Sequence, residues 1–138
     1  MNREILFRGK RADNGEWIEG FFCECPCDDG TDIPSIMRIE SKENHRALMQ
    51  YPVISETVGR FIGLTDRNGR KIFEGDIISY NGSKEVVYFD TSLNIPCFTT
   101  GIGRGSSTVP HPYKISKRHV VIGNIHDNPE LLKGEPNV

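Results

Sequence analysis

Three cysteines alternate within Cys23-Glu24-Cys25-Pro26-Cys27 and offer the first chemistry in this chain, ligation of a soft metal ion. On an extended segment side chains repeat every second residue, so the three thiols would share one face. Cys97 or a histidine would have to complete the set. Structural zinc sites usually place about two to four residues between paired cysteines, and a one-residue gap on a strand splays the thiols. The stretch therefore reads as free thiols at a strand end in a reducing compartment. No metal and no cofactor are expected, with Cys23, Cys25 and Cys27 as the weak candidates.

Two acidic constellations come next. Glu74-Gly75-Asp76 pairs carboxylates that would divide acid and base roles or hold a metal, the basis of a metal-dependent enzyme reading. The structural reading is stronger: Gly75 supplies a conformation other residues resist, and Asp76 bonds neighbouring amides to fix a corner. In His126-Asp127 the side chains of adjacent extended residues point to opposite sides, which argues against an acid–base pair. His45, His111 and His119 fit no ligand spacing, and no nucleophile motif is present. No catalytic residue is assigned, and the chain is expected not to be an enzyme.

The basic residues point to a different chemistry. Arg67, Arg70 and Lys71 surround one turn, and Arg104 sits in Gly101-Ile102-Gly103-Arg104-Gly105 beside Lys114, Lys117 and Arg118. That glycine run lacks the following helix a dinucleotide fingerprint needs. With Phe61, Phe73, Tyr80, Tyr88 and Phe89, the basic groups would make a nucleic-acid-binding surface on a small β-barrel. Charge weighs against it. Acidic residues outnumber basic ones, 19 to 17, and the net charge is −2, so no long-range attraction to nucleic acid or anionic membrane arises.

The elements that position these groups are mostly strands. Asn14-Gly15, Asn68-Gly69 and Asn81-Gly82 each lie between runs rich in apolar or β-branched residues, the signature of hairpins. The 138 residues, with 14 glycines and 8 prolines, fit one turn-rich domain over 1–133 and a tail over 134–138. The pattern predicts a mainly β fold with a small antiparallel, barrel-like core built from SH3-like hairpins, since closure removes exposed edges. A strand is expected from Ile33 to Ile39, interrupted at Pro34. Ser41 to Gln50 is expected as a short helix capped by Ser41 and stopped by Pro52. Thr91 to Pro112 reads as a long loop with a strand over Ile95 to Thr99. Arg118 to Ile122 is a further strand, and Asp127 or Asn128 caps a last helical turn begun by Pro129. No apolar run reaches the roughly 20 residues of a membrane span, and with MNREILFRGK charged from its start and lacking an apolar core, no signal peptide is expected.

Three blocks, FRGKRADNGEW (7–17), SETVGRFIGLTDRNGRKIFEGDIISY (55–80) and VIGNIHDNPELL (121–132), closely resemble the YopX family of small proteins encoded by bacteriophages and prophages. Ser55 stands where the family often has proline, and 23–27 and 101–105 fall in its variable regions. The resemblance implies a mainly β fold with a barrel-like core and a tendency to self-associate. A homo-oligomer is therefore expected; the absence of a signal-like or membrane-length apolar run sets the expectation of the bacterial host's cytoplasm with no membrane association, and a phage or host protein is the expected further partner. The working expectation is a non-catalytic scaffold or protein-interaction module. The alternative is a nucleic-acid-binding barrel of phage DNA or RNA metabolism.

Overall fold

The computed structural model describes residues 5–90, 97–101, 115 and 118–132, with 90 and 97–101 described by backbone alone. It divides into two compact units, Met1–Phe61 and Ile62–Val138. The chain is mainly β and its strands antiparallel, as the hairpin signals predict, and among the described residues the helical pieces are short 3-10 turns. The barrel-like core consists of open sheets, and none closes on itself among the described residues. No helix there is long and apolar enough to cross a membrane.

In the first unit the strands are β1 (Phe7–Lys10), β2 (Trp17–Pro26), β3 (Asp32–Lys42), β4 (His45–Pro52) and the start of β5 (Gly59–Thr65). Their order is β4-β3-β2-β1-β5. Alternation decides which face is buried. Phe22, Ile36 and Tyr51 lie opposite one another across β2, β3 and β4. With Phe7, Ile18, Val53 and Val58 they form one apolar cluster. The basic block around β1 packs by cation–π contact: the Arg8 guanidinium lies 4.7 Å from the Trp17 ring centre, and that of Arg11 lies 4.7 Å from Tyr51.

Residues 41–50 are strand and turn rather than helix. β3 and β4 pair from Ser35↔Pro52 to Lys42↔His45, joined by a two-residue turn at Glu43-Asn44 with Glu43 at φ 53°. The helix propensity of Ala47, Leu48 and Met49 amounts to tenths of a kcal/mol each. Pairing with Glu40, Ile39 and Arg38 satisfies their backbone and overrides it. Pro34 does not interrupt β3; it lies opposite Glu24, and its carbonyl accepts from Val53 N at 3.0 Å.

In the second unit β5 ends and is followed by β6 (Lys71–Phe73), β7 (Asp76–Tyr80), β8 (Ser83–Asp90), β9 (Cys97–Gly101) and β10 (Val120–Asn124). Four of these form a sheet in the order β10-β7-β8-β9. Ile72, Ile78, Val87, Ile115 and Val121 are buried together, with Ile62 against them. β9 runs two residues later than the expected strand at 95–99, and the rest of the expected 91–112 loop lies outside the described residues, as does the tail at 134–138.

Candidate functional site

The turn and corner residues occupy turns and a corner, though not all of one kind. Asn81-Gly82 forms a two-residue hairpin loop with both residues at positive φ (52° and 82°), between paired Tyr80 and Ser83. The other two loops are longer because side chains intervene. Asn14 Oδ1 accepts from Glu16 N at 2.9 Å, and only Gly15 has positive φ. In the loop of Asn68-Gly69 the organiser is Asp66, which sequence reasoning missed.

Asp66 is 2% exposed, and its carboxylate holds three backbone amides. Oδ1 accepts from Asn68 N and Arg70 N, both at 2.8 Å, and Oδ2 accepts from Val121 N at 2.9 Å, 55 residues away. Burial pushes this carboxyl up. The amides of Val121, Arg70 and Asn68, with the Arg70 charge, outweigh that and hold it below the ordinary value of 3.8. An aspartate two residues before Asn-Gly is itself a turn-forming signal; its tie to Val121 has no trace in sequence spacing.

At Glu74-Gly75-Asp76 the corner is built as the residue types imply. Gly75 has φ 93°, its N–H reaches the Val87 carbonyl at 2.8 Å, and its own carbonyl accepts from Ile125 N at 2.9 Å. Asp76, 1% exposed, accepts from Phe73 N at 2.7 Å. His126 rests against this corner: a Cβ at position 75 would lie 3.6 Å from its Nε2. Asp127 Oδ2 accepts from Asn124 Nδ2 at 3.3 Å. Asn124 organises this end, its Oδ1 accepting from His126 N and Asp127 N at 3.0 and 2.9 Å. Asn128 directly precedes the 3-10 turn Pro129–Leu132, and its Oδ1 accepts from Asn124 N at 3.3 Å.

Cys23 and Cys25 share a face of β2, as alternation predicts. Their sulfurs lie 3.7 Å apart instead of splaying. The Cys25 thiol raises that of Cys23 through their hydrogen bond. Cys27 lies past the end of β2 in the turn closed by Cys27 N to Thr31 O, so the three thiols are not one set. Among the described residues no three His, Cys, Asp or Glu side chains converge where they would hold a metal ion.

The same face of the first unit carries apolar side chains outward. Phe21 is directly opposite Met37, and Ile39 directly opposite Leu48. Phe21, Ile39 and Leu48 remain 60%, 53% and 64% exposed, with Ile33 further along β3 at 36%. This sheet thus carries apolar side chains on both faces; one is packed into its own core, and the other is covered only in part, at Ser35 and Met37. Periodicity in β2 and β3 does not reveal it, since the register with β4 was hidden under an expected helix.

The proposed basic cluster is divided. Arg70 sends Nη1 toward the Val121 carbonyl at 3.5 Å, while Arg67 lines a cleft with Arg118 and Tyr80. Lys71 begins β6 and is exposed, outside that lining. Arg104 lies outside the described residues.

A family model described as YopX protein matches residues 6–133 of this chain. No curated protein matches. Among solved structures, the chain is similar to the crystal structure of protein EF1440 from Enterococcus faecalis, with a TM-score of 0.55 and 22% identity. That likeness covers 96% of this chain and 100% of the other, and it supports the fold.

Proposed function

The chain belongs to the YopX family, and for this member we propose a non-catalytic role as a self-associating interaction module, with a second copy seated on the apolar sheet face of the first unit. The observation that carries this is the contiguous apolar patch of exposed Phe21, Ile39 and Leu48 with the half-buried Met37 between them. Single exposed apolar residues are ordinary. Here strand register sets these four side by side on a face whose reverse is already packed.

A second copy is the occupant chosen because about a two-fold axis the same apolar residues of the partner would lie over the patch and cover it. β4, the eight-residue edge strand of this unit, sets Leu48 at the margin of that contact. The expected setting is the cytoplasm of a bacterium carrying the phage or prophage, where a phage or host protein is the further partner to seek.

Light scattering tests the assembly. The unaltered chain is expected to give a mass of at least two protomers, and Leu48→Lys or Phe21→Ser to lower it toward one with circular dichroism unchanged. A monomer at high concentration, or assembly indifferent to both substitutions, would overturn the reading.

A further inference from the structure

We infer that a cleft on the second unit is a binding site for one nucleotide, with its phosphate between Arg67 and Arg118 and its base against Tyr80. The cleft has a volume of about 320 Å³. That is the small end of the roughly 300–1,000 Å³ range of ligand pockets, and it suits a single nucleotide. Arg67 stands in the turn after β5, Ser79 and Tyr80 end β7, and Arg118 leads into β10. Val120 and Ile122 supply an apolar floor, and Asn81 closes the rim.

Each part has a matching group on a nucleotide. The two guanidiniums offer planar donor forks for phosphate oxygens. No carboxylate lines the cleft among the described residues, in a chain whose net charge is −2. Cation is therefore concentrated here against the background. Tyr80 is 37% exposed, and its ring is backed by the buried His119 at 5.6 Å between centres, so it presents a supported aromatic surface for a base. The Ser79 hydroxyl and the Asn81 amide add donors and acceptors for sugar or base edges.

The walls are also held together before any ligand arrives. Arg67 N donates to the His119 carbonyl at 2.9 Å, which fixes the Arg67 turn beside the Arg118 segment. Asp66 locks the same turn to Val121, and Ser79 pairs with Val120 across β7 and β10. A site whose walls are already tied loses less freedom on binding. The nucleotide has two sources, free in solution or as one unit of a single strand. The shared chemistry is a phosphate beside a planar base.

Amide chemical-shift titration of the full chain tests this, using adenosine monophosphate, adenosine, inorganic phosphate and a short single-stranded oligonucleotide as probes. Adenosine monophosphate is expected to move the resonances of Arg67, Tyr80, Asn81 and Arg118, and to bind about tenfold more tightly than adenosine or phosphate alone. Arg67→Ala and Arg118→Ala should each weaken it about tenfold. Tyr80→Leu should weaken the nucleotide while leaving phosphate unchanged. Tighter binding of the oligonucleotide than of the monophosphate assigns the source to a strand, and the reverse assigns it to the free nucleotide. Silence of these resonances with both the monophosphate and the oligonucleotide would overturn the proposal. So would unaltered nucleotide binding by folded Arg67→Ala and Arg67→Glu.

Discussion

Replacing Asp66 with alanine lowers stability by about 3 kcal/mol or more in urea unfolding, an effect out of proportion to one side chain in a turn. Three amides lose their acceptor at once, and a buried donor left unpaired costs roughly 1–3 kcal/mol. The Val121 amide is the worst placed, since its bond to Oδ2 is buried and spans 55 residues. Asp66→Asn keeps the size but exchanges one acceptor for an NH2 that faces amide donors, so it should recover little. Stability against pH separates charge from shape. The folded carboxyl titrates below its ordinary 3.8, so its contribution is complete above that value and is lost as pH falls through the lower folded value. The native chain should therefore lead Asp66→Asn by a constant margin near neutrality, and the margin should shrink below about pH 3.8. A margin that stays flat into acid would assign the effect to packing instead. Because Asp66 fixes the Arg67 turn, the alanine variant should also blunt nucleotide binding, whereas Arg67→Ala should leave stability nearly untouched.

Much of this architecture is legible in residue order, for reasons that also mark where legibility ends. Asn81-Gly82 reads correctly because the hairpin needs positive φ at both positions and these two residues tolerate it. Gly75 reads correctly for the same local reason. Residues 41–50 mislead because Ala47, Leu48 and Met49 carry a weak helical preference, while the pairing that decides them sits on β3. Local signals cannot weigh a partner strand. The candidate sites follow the same division. Arg67 is identifiable as an exposed turn residue, but its grouping with Tyr80 and Arg118, and its separation from Arg70, depend on the Arg67–His119 backbone bond. The apolar face depends on register too: Phe21 and Leu48 are unremarkable until β3 brings Met37 and Ile39 between them. Where chemistry rests on one residue's conformation, sequence is sufficient. Where it rests on two strands meeting, it is not.

Gly20→Ala is the second substitution expected to be severe, and its sign is what makes it informative. Within a strand, glycine ordinarily costs about 0.5–1 kcal/mol against alanine, so the exchange usually helps. Here a Cβ would press on the Met37 carbonyl oxygen and lie 2.9 Å from Ile36 Cγ2. Neither neighbour is a flexible chain end. The carbonyl is backbone, and moving it disturbs the Phe21↔Met37 and Phe22↔Ile36 pairs that set the register of β2 on β3. Overpacking of this kind costs roughly 1–3 kcal/mol, and a displaced ladder adds to it, so a loss of about 3 kcal/mol is expected. Gly9→Ala provides the graded comparison. Its Cβ would meet Val53 at 3.1 Å, a side chain able to shift by a few tenths of an ångström, and a loss of about 1 kcal/mol should suffice. Urea midpoints should therefore fall in the order native, Gly9→Ala, Gly20→Ala. The functional consequence reaches further than the fold. Met37 and Ile39 lie on the strand that Gly20→Ala displaces, so at temperatures where the variant remains folded its assembly should weaken, while nucleotide binding by the second unit persists. Loss of both properties together would mean that the variant had simply unfolded, and circular dichroism on the same samples decides that.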